Sequence, residues 1–516
     1  MSHPERIFRM QDLKARTIRG GVARLLAQGA GFVLRVGSVM VLARLLSPKD
    51  FGLVGMVTAF TGVLMLLRDF GLSAAAVQRK TVTEEQISTL FWINILLGVL
   101  FGLVALAMAP AIAAFYHEPE LFAVTAVLAA GFLFNAAGTQ HSALLARQMR
   151  FTTLAVISIV SGAVGTAIAI CGAEAGYGYW ALVAMTVASP LVATVGVWLA
   201  TGWVPGMPHR RAGIRSMMHF GGALTFTGIV VYIGYNAEKI LIGRFWGADA
   251  IGLYGRAYQL VNIPTDNLNS SVGEVAFSAL SRLQDDPLRL KNYFLKGFSV
   301  VLGLTLPITI GCMLFADDIV FVLLGPKWTE AAAIVRLLAP TVAIFAIINP
   351  LGWMMFSVGF VARGVKAAPV LATIVISGCV IGLPHGPKGV AFAYSAVLTL
   401  WLIPHILWSV HGTPISLRDV LVTVSRPMVS GIVAGAFAFG VRLICGPFVS
   451  PLPRLMLESC VLLLAFFGAL LFVAGQKSLY LDLLRGLKEP SVRAGAGTTL
   501  AAADGGHSGS EAARMR

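Results

Sequence analysis

Two stretches of this chain, VLARLLSPKDFGLVG at residues 41–55 and LIGRFWGADAIGLYG at residues 241–255, repeat one pattern. The identical pairs, all separated by 200 positions, are Arg44 and Arg244, Gly52 and Gly252, Leu53 and Leu253, and Gly55 and Gly255. Each copy runs from the end of one apolar segment into the start of the next. The repeat therefore indicates that the two halves of the chain share one architecture.

The composition is that of a membrane protein. Of the 516 residues, 57% are hydrophobic and only 12% are charged, and the mean hydropathy is +0.81. Soluble proteins carry about 25% charged residues, and a soluble fold could not bury so much apolar surface. Since a helix needs about 20 apolar residues to cross a bilayer, we expect about 14 membrane-spanning helices. The predicted segments are 20–46, 51–77, 85–112, 120–146, 152–173, 178–201, 214–242, 250–278, 292–315, 329–360, 365–383, 388–410, 418–444 and 452–475.

The charges between these segments alternate, and the alternation predicts the topology. Connections rich in Lys and Arg alternate with connections that are poor in them, and basic residues stay in the cytoplasm. The basic connections are those with Arg6, Arg9, Lys14, Arg16 and Arg19, with Arg79 and Lys80, with Arg147 and Arg150, with Arg210, Arg211 and Arg215, and with Arg282, Arg289, Lys291 and Lys296. The pattern predicts a multi-pass membrane protein with both termini in the cytoplasm.

The repeat and the topology together predict the organisation of the chain. Six helices separate the two copies, so both copies have the same orientation. This favours two parallel six-helix lobes around a central cavity, followed by two more helices. The predicted units are a cytoplasmic segment 1–19, a first lobe 20–201, a linker 202–213, a second lobe 214–410, two C-terminal helices 411–475 and a disordered cytoplasmic tail 476–516.

Several functional classes are disfavoured by the sequence. The net charge of +15 would suggest nucleic acid in a soluble chain, but here the cations flank apolar segments, where they set topology and meet membrane lipid. No Walker A, HExxH or Gly-x-Ser-x-Gly motif is present, and the five cysteines are isolated, as is typical of small apolar residues within helices. We expect no catalytic residues, no metal and no cofactor.

The first two predicted helices carry unusual charge for a membrane interior. Arg24, Gln28 and Arg35 recur on one stripe of the first helix, with spacings that a period of 3.6 residues brings to one face. Arginine matches phosphate in a bidentate manner, so these residues are candidates to contact an anionic substrate, although Arg24 could instead reach the headgroups. Arg68 is a further cavity candidate, and Asp69 is a candidate for gating or ion coupling or for a structural salt bridge.

The eighth predicted helix is the least apolar. Tyr258, Asn262, Asp266 and Asn269 follow one another at intervals of three or four residues, near Pro264. Such a polar and aromatic face suits a cavity that contacts sugars, while packing between helices is the alternative. Asp266 is also a candidate for ion coupling, as are Glu238 and Lys239 in the seventh helix, because ionisable groups within a bilayer are costly.

Several longer motifs resemble those of one known family. They are RDFGL at 68–72, VTEEQISTLFWIN at 82–94, AFYHEP at 114–119, LIGR at 241–244, GLYGRAY at 252–258 with Pro264, LSRLQDD at 280–286 and LGPKW at 324–328. In this order the chain resembles the Wzx-type polysaccharide flippases, in the lipopolysaccharide and teichuronic acid exporter branch of the multidrug/oligosaccharidyl-lipid/polysaccharide superfamily. The resemblance covers roughly residues 15–410 and weakens towards the C-terminus.

The resemblance implies a function for the predicted cavity. Its substrate would be an undecaprenyl-diphosphate-linked oligosaccharide, translocated for exopolysaccharide, capsule or lipopolysaccharide synthesis, and a polysaccharide polymerase and export complex would be candidate partners. An ion-coupled multidrug exporter of the same superfamily is one alternative, but a cationic drug would favour carboxylates over arginines in the cavity. A membrane-embedded polymerase or ligase is another, disfavoured by the short outer connections.

Overall fold

The computed structural model describes residues 28–69, 83–208, 215–445 and 449–481, and these residues form an all-helical protein. In the first half, α1 spans Gln28–Leu45, α2 Pro48–Asp69, α3 Glu84–Tyr116, α4 Glu120–Arg147, α5 Phe151–Glu174 and α6 Tyr179–Thr201. At two helix N-termini, side chains form hydrogen bonds with free backbone N–H groups. Ser47 and Asp50 exchange hydrogen bonds at the start of α2, and Thr83 and Gln86 form a capping box at the start of α3.

The second half begins with a long helical stretch, Arg215–Ser281, which has one break, at Gly247. Gly247 has φ of 82° and ψ of −174°, a conformation that glycine adopts readily because it has no Cβ. The break separates α7 (215–246) from α8 (248–281). The later helices are α9 Pro287–Leu314, α10 Ala316–Leu323, α11 Ala331–Leu338, α12 Pro340–Ser357, α13 Val361–Gly382, α14 Gly386–Val410, α15 Leu417–Cys445 and α16 Pro451–Gly468.

The structure confirms an all-α, multi-pass membrane protein and refines two parts of the prediction. Ten of the described helical stretches are long and apolar enough to cross a membrane, and the total of 14 crossings stays a prediction. The single segment predicted at 329–360 consists of two consecutive helices, α11 and α12, which meet at Pro340; proline has no N–H to continue the hydrogen-bond ladder. The predicted connection at Asp317 and Asp318 contains the short helix α10.

The two halves meet most extensively where α2 packs against the stretch Arg215–Ser281, and the contact of α2 with α8 is reciprocal. A Cβ placed on Gly52 would lie 1.8 Å from the carbonyl oxygen of Ala248, and a Cβ placed on Gly252 would lie 1.9 Å from that of Pro48. Because 48 corresponds to 248 and 52 to 252, each repeat makes the same contact on the other. Only glycine permits backbones to approach this closely.

The second glycine pair of the repeat marks the place where the helices separate. A Cβ on Gly55 would be 3.9 Å from its nearest neighbour, and a Cβ on Gly255 would meet nothing within 4 Å. Thus the backbones of α2 and α8 touch at their first turns, and one turn later there is room for a side chain between them. The space that opens between them is the cavity described below.

The arginines of the repeat extend the same reciprocal contact. Arg44 of the first half donates to the carbonyl oxygen of Val322, at the end of α10 in the second half, over 2.8 Å. In return, a guanidinium nitrogen of Arg244 lies 2.7 Å from Nδ1 of His117 at the end of α3. Trp328 adds a buried hydrogen bond of 2.7 Å to the carbonyl oxygen of Ala43. These contacts close one end of the molecule, which the charge pattern predicts to be the outer end.

The linker between the halves is partly packed on the first half. The described residues 202–208 are non-helical. The Trp203 ring contacts Phe91 and His141, with ring centroids 6.1 and 5.1 Å apart. The Gly206 N–H donates to Ser88 Oγ over 3.1 Å. The first part of the predicted linker at 202–213 is therefore fastened to the first half.

The C-terminal helices α15 and α16 are joined to the second half by charge. Arg454 of α16 is ion-paired with the buried Asp318 of α10, and Arg442 of α15 contacts Asp317 at 3.3 Å. Helix α15 also packs along α9. The predicted tail at 476–516 lies outside the described residues beyond 481.

The two glycine pairs give a direct test of the reciprocal contact. Replacing Gly252 with Ala places a methyl group against the Pro48 carbonyl, and such overpacking costs about 1–3 kcal/mol. Gly255→Ala, three residues along the same helix, meets open space and is the matched control. We expect a lower thermal unfolding midpoint for Gly252→Ala only. Equal midpoints for the two variants would contradict the close contact.

Candidate functional site

A polar cavity of about 450 Å³ lies between the two halves. Four helices line it, α1 and α2 from the first half and α7 and α8 from the second. Both members of the second glycine pair, Gly55 and Gly255, form part of its wall. The cavity therefore begins one turn beyond the close contacts of Gly52 and Gly252.

Three cationic side chains, Arg35, Lys239 and Arg256, line this cavity. Among the lining residues that the structure describes, none is acidic. In a bilayer an ionisable side chain is expected to face a partner or a hydrated space, and three cations around one hollow attract an anion. The site thus has the electrostatic character of an anion-binding chamber.

Aromatic and amide groups hold the cations in place. The Arg256 guanidinium lies 4.2 Å from the centroid of the Phe51 ring, and Lys239 Nζ lies 4.8 Å from that of Tyr258. Lys239 also donates to Asn236 Oδ1 over 2.8 Å. These cation–π contacts stabilise a desolvated cation by about 2 kcal/mol or less each. Rings and an amide, rather than an ion-paired carboxylate, contact Arg256 and Lys239 among the described residues, so the wall of the cavity keeps a positive charge.

The two halves are also linked beside the cavity. Tyr232 of α7 donates its hydroxyl to the Thr58 carbonyl oxygen of α2 over 3.1 Å. Both residues line the cavity. This bond spans the chamber from one half to the other, so any widening of the space between α2 and α7 must break it.

A buried carboxylate lies beside the lysine of the cavity. Glu238 is 0% exposed, and neither of its carboxylate oxygens has a hydrogen-bond partner. The hydroxyl of Tyr254 is likewise buried and without a partner among the described residues, and the rings of Tyr254 and Tyr394 neighbour Tyr258 at centroid distances of 6.2 and 6.3 Å. An unpartnered buried carboxylate is costly.

The structure brings together several residues that the sequence singled out. Arg35, Tyr258 and Asn262 line the cavity, as predicted substrate contacts would, and so does Lys239, which was predicted to act in coupling. Gln28 lies on α1 outside the lining, and Glu238 is buried behind it. The functional roles of all these residues stay predictions.

The other predicted site residues lie wholly or in part outside the described residues. Arg24 lies outside the described residues. The side chains of Arg68, Asp69, Asp266 and Asn269 also lie outside the described part, although their backbones belong to α2 and α8. Their predicted contacts with substrate or coupling ion stay predictions.

Arg256 is the cavity cation that the sequence analysis did not select. A signal for it was present in the repeat, since Arg256 stands where the first copy has Met56. Met56 is fully buried in the core, whereas Arg256 lines the cavity. At this position the two copies therefore differ in chemistry, with an apolar core residue in the first and a cavity-lining cation in the second.

The fold and the cavity define a class: a multi-pass, all-helical membrane protein with two related halves around a cationic chamber. The chain belongs to the polysaccharide biosynthesis protein family, whose profile matches residues 41–333. Among its relatives, the teichuronic acid biosynthesis protein TuaB of Bacillus subtilis (strain 168) is 31% identical over 305 residues, which are 58% of this chain and 62% of that protein. This alignment spans less than two thirds of TuaB.

A second relative and a solved structure agree with this assignment. The lipopolysaccharide biosynthesis protein WzxC of Escherichia coli (strain K12) is 26% identical over 386 residues, covering 72% of this chain and 77% of WzxC. The structure of the lipid II flippase MurJ in an inward closed conformation superposes with a TM-score of 0.69 at 14% identity. It covers 90% of this chain and all of MurJ, so the two proteins share a fold.

The charge of the cavity can be tested by anion binding. Replacing Arg256 with Met, the residue of the first repeat, removes one of the three cations without removing bulk. A charge-assisted hydrogen bond contributes about 1.5–3 kcal/mol, so we expect pyrophosphate to bind purified protein at least about tenfold more weakly. Isothermal titration calorimetry measures this. Arg289→Met removes an exposed arginine at the start of α9 and should leave the affinity unchanged; an equal loss in both variants would contradict a local site.

Proposed function

We propose that this protein is a flippase that moves an undecaprenyl-diphosphate-linked oligosaccharide across the bacterial plasma membrane. The observation that carries the proposal is the chamber between the halves, lined by three cations and, among the described residues, no acid. A diphosphate is the part of such a substrate that carries charge, and arginine is the side chain that matches it best.

The sugars and the lipid tail would be handled differently. Tyr258 and Asn262 offer an aromatic face and an amide on the cavity wall, which suit the apolar faces and hydroxyl groups of sugar rings. The hydrocarbon tail would stay in the bilayer, where no polar group has to be desolvated for it. Transport of this kind requires no chemical step, in agreement with a non-enzymatic role.

The shape of the chamber supports alternating access. At about 450 Å³ it falls in the range of small-molecule sites and is too small for an oligosaccharide. The glycine and arginine contacts of the repeat close one end. Loading and release would then require the halves to rock apart at each end in turn, with breakage of the reciprocal contact at the outer end.

The relatives support this cargo over its alternative. WzxC is named for the biosynthesis of lipopolysaccharide and TuaB for that of teichuronic acid, and MurJ is a flippase for lipid II. A cationic drug would be repelled by the three cations of the chamber. The plasma membrane location, the cytoplasmic termini and any association with a polymerase belong to the same proposal.

Reconstituted transport tests the proposal. In proteoliposomes loaded with a fluorescent undecaprenyl-diphosphate-linked oligosaccharide, we expect the protein to make the label accessible on the opposite leaflet. Arg35→Ala should slow this at least about tenfold by removing one charge-assisted contact. Arg289→Met should transport at the original rate.

Two results would overturn the assignment. One is an unchanged rate in Arg35→Ala, which would remove Arg35 from the substrate path. The other is efflux of ethidium from the same vesicles without movement of the lipid-linked sugar, which would make the protein a drug exporter.

Glu238 would couple transport to an ion gradient as part of this proposal. Its unpartnered carboxylate could take up a proton or a sodium ion while Lys239 faces the cargo. Asp69 and Asp266 remain further candidates from the sequence. Glu238→Gln should leave slow transport down the substrate gradient but abolish the stimulation by an imposed proton or sodium gradient. Glu85→Gln, at the exposed start of α3, should keep the stimulation; retention by Glu238→Gln would exclude this role.

A further inference from the structure

A second cavity, of about 300 Å³, lies within the second half of the protein. Its wall is formed by α7, α12, α13 and α14 and shares no lining residue with the cationic chamber. The larger side chains that line it include Ile348, Trp353, Phe356, Leu371 and Val375. The cavity is thus a separate and mainly apolar space.

One polar side chain in this apolar wall is unsatisfied. His405 of α14 is only 7% exposed, lines the cavity, and has no hydrogen-bond partner at either ring nitrogen within the described part of the chain. One turn earlier on the same helix, the buried Nε1 of Trp401 also lacks a partner, and the two ring centroids are 6.3 Å apart. Native proteins leave few buried polar groups unpaired, since each costs about as much as a lost hydrogen bond. We therefore expect a group inside the cavity that forms a hydrogen bond with the imidazole of His405.

The wall also limits what that group can belong to. Among the lining residues that the structure describes, none carries a fixed charge, so an ionic headgroup would be left unpaired. Aromatic and branched aliphatic side chains favour a hydrocarbon, and the volume is at the lower end of small-molecule sites. Asn349 offers one further polar contact.

We propose that this cavity binds the end of a neutral hydrocarbon chain that carries one hydroxyl or carbonyl group, with that group hydrogen-bonded to His405. An isoprenoid alcohol and a straight-chain alcohol share this chemistry. The proposal concerns a site separate from the cationic chamber and does not depend on the flippase function.

Photolabelling tests the site with both chain types. Diazirine derivatives of farnesol and of dodecanol are added separately to proteoliposomes of the full chain, and labelled peptides are mapped by mass spectrometry. We expect labels on the cavity residues of α12 and α13. Farnesol labelling alone would identify an isoprenoid ligand, and dodecanol labelling alone a straight-chain ligand.

Two variants remove the site in different ways. A Cβ on Gly352 would meet nothing within 4 Å, so Gly352→Leu fills the cavity without a backbone clash. His405→Phe keeps the ring and removes both nitrogens, whereas His405→Gln retains a donor and an acceptor. We expect labelling to fall about tenfold in Gly352→Leu and His405→Phe and to be partly restored in His405→Gln.

Gly440→Leu on α15 is the matched control, because a Cβ there also meets nothing within 4 Å and the position lies outside the cavity. Its labelling should equal that of the original protein. Equal labelling in all variants, or labelling confined to outward-facing positions such as Leu400, which is 78% exposed, would overturn the proposal. Should Gly352→Leu fail to fold, the comparison of His405→Phe with His405→Gln decides alone.

Discussion

The contact between the first turns of α2 and α8 is the constraint on which the rest of the structure depends. Gly52 and Gly252 bring two backbones together at a distance that no other residue allows. Each glycine faces a carbonyl oxygen of the opposite repeat, so the same close contact occurs twice. The adjoining arginine and tryptophan bonds add specificity at the same end. The position of the chamber follows from this contact, since the helices diverge directly below it.

The chamber shows how a protein can keep positive charge within a bilayer. Cations at this depth are expensive, and a carboxylate partner would lower the cost but would also cancel the field. Here Arg256 and Lys239 contact the rings of Phe51 and Tyr258, and the carboxylate of Glu238 beside Lys239 is buried behind the cavity wall. The quadrupole of an aromatic ring attracts a cation without neutralising it. The cavity can therefore remain attractive to an anion while its side chains stay ordered.

Much of the fold could be predicted from the sequence, because the bilayer imposes a simple rule on apolar length. The helices, the all-α class and the pairing of the two repeats follow from hydropathy and spacing alone, and Arg35 could be selected because charge is rare in such a helix. The reciprocal contact of Gly52 with Ala248 could not be predicted, since hydropathy and spacing do not show which helices are in contact. Arg256 was missed for a related reason: it lies close to a segment end, where an arginine is ordinarily explained by the interface. Pro340 and α10 escaped notice because short breaks do not alter the average hydropathy of a long segment.

The anchored linker has a mechanical consequence. Trp203 and Gly206 are fastened to the first half, and seven residues of covalent chain lead from Pro208 to Arg215, where α7 begins. Seven extended residues reach about 25 Å at most. The covalent length therefore sets an upper bound on how far the end of the fastened linker and the start of α7 can separate.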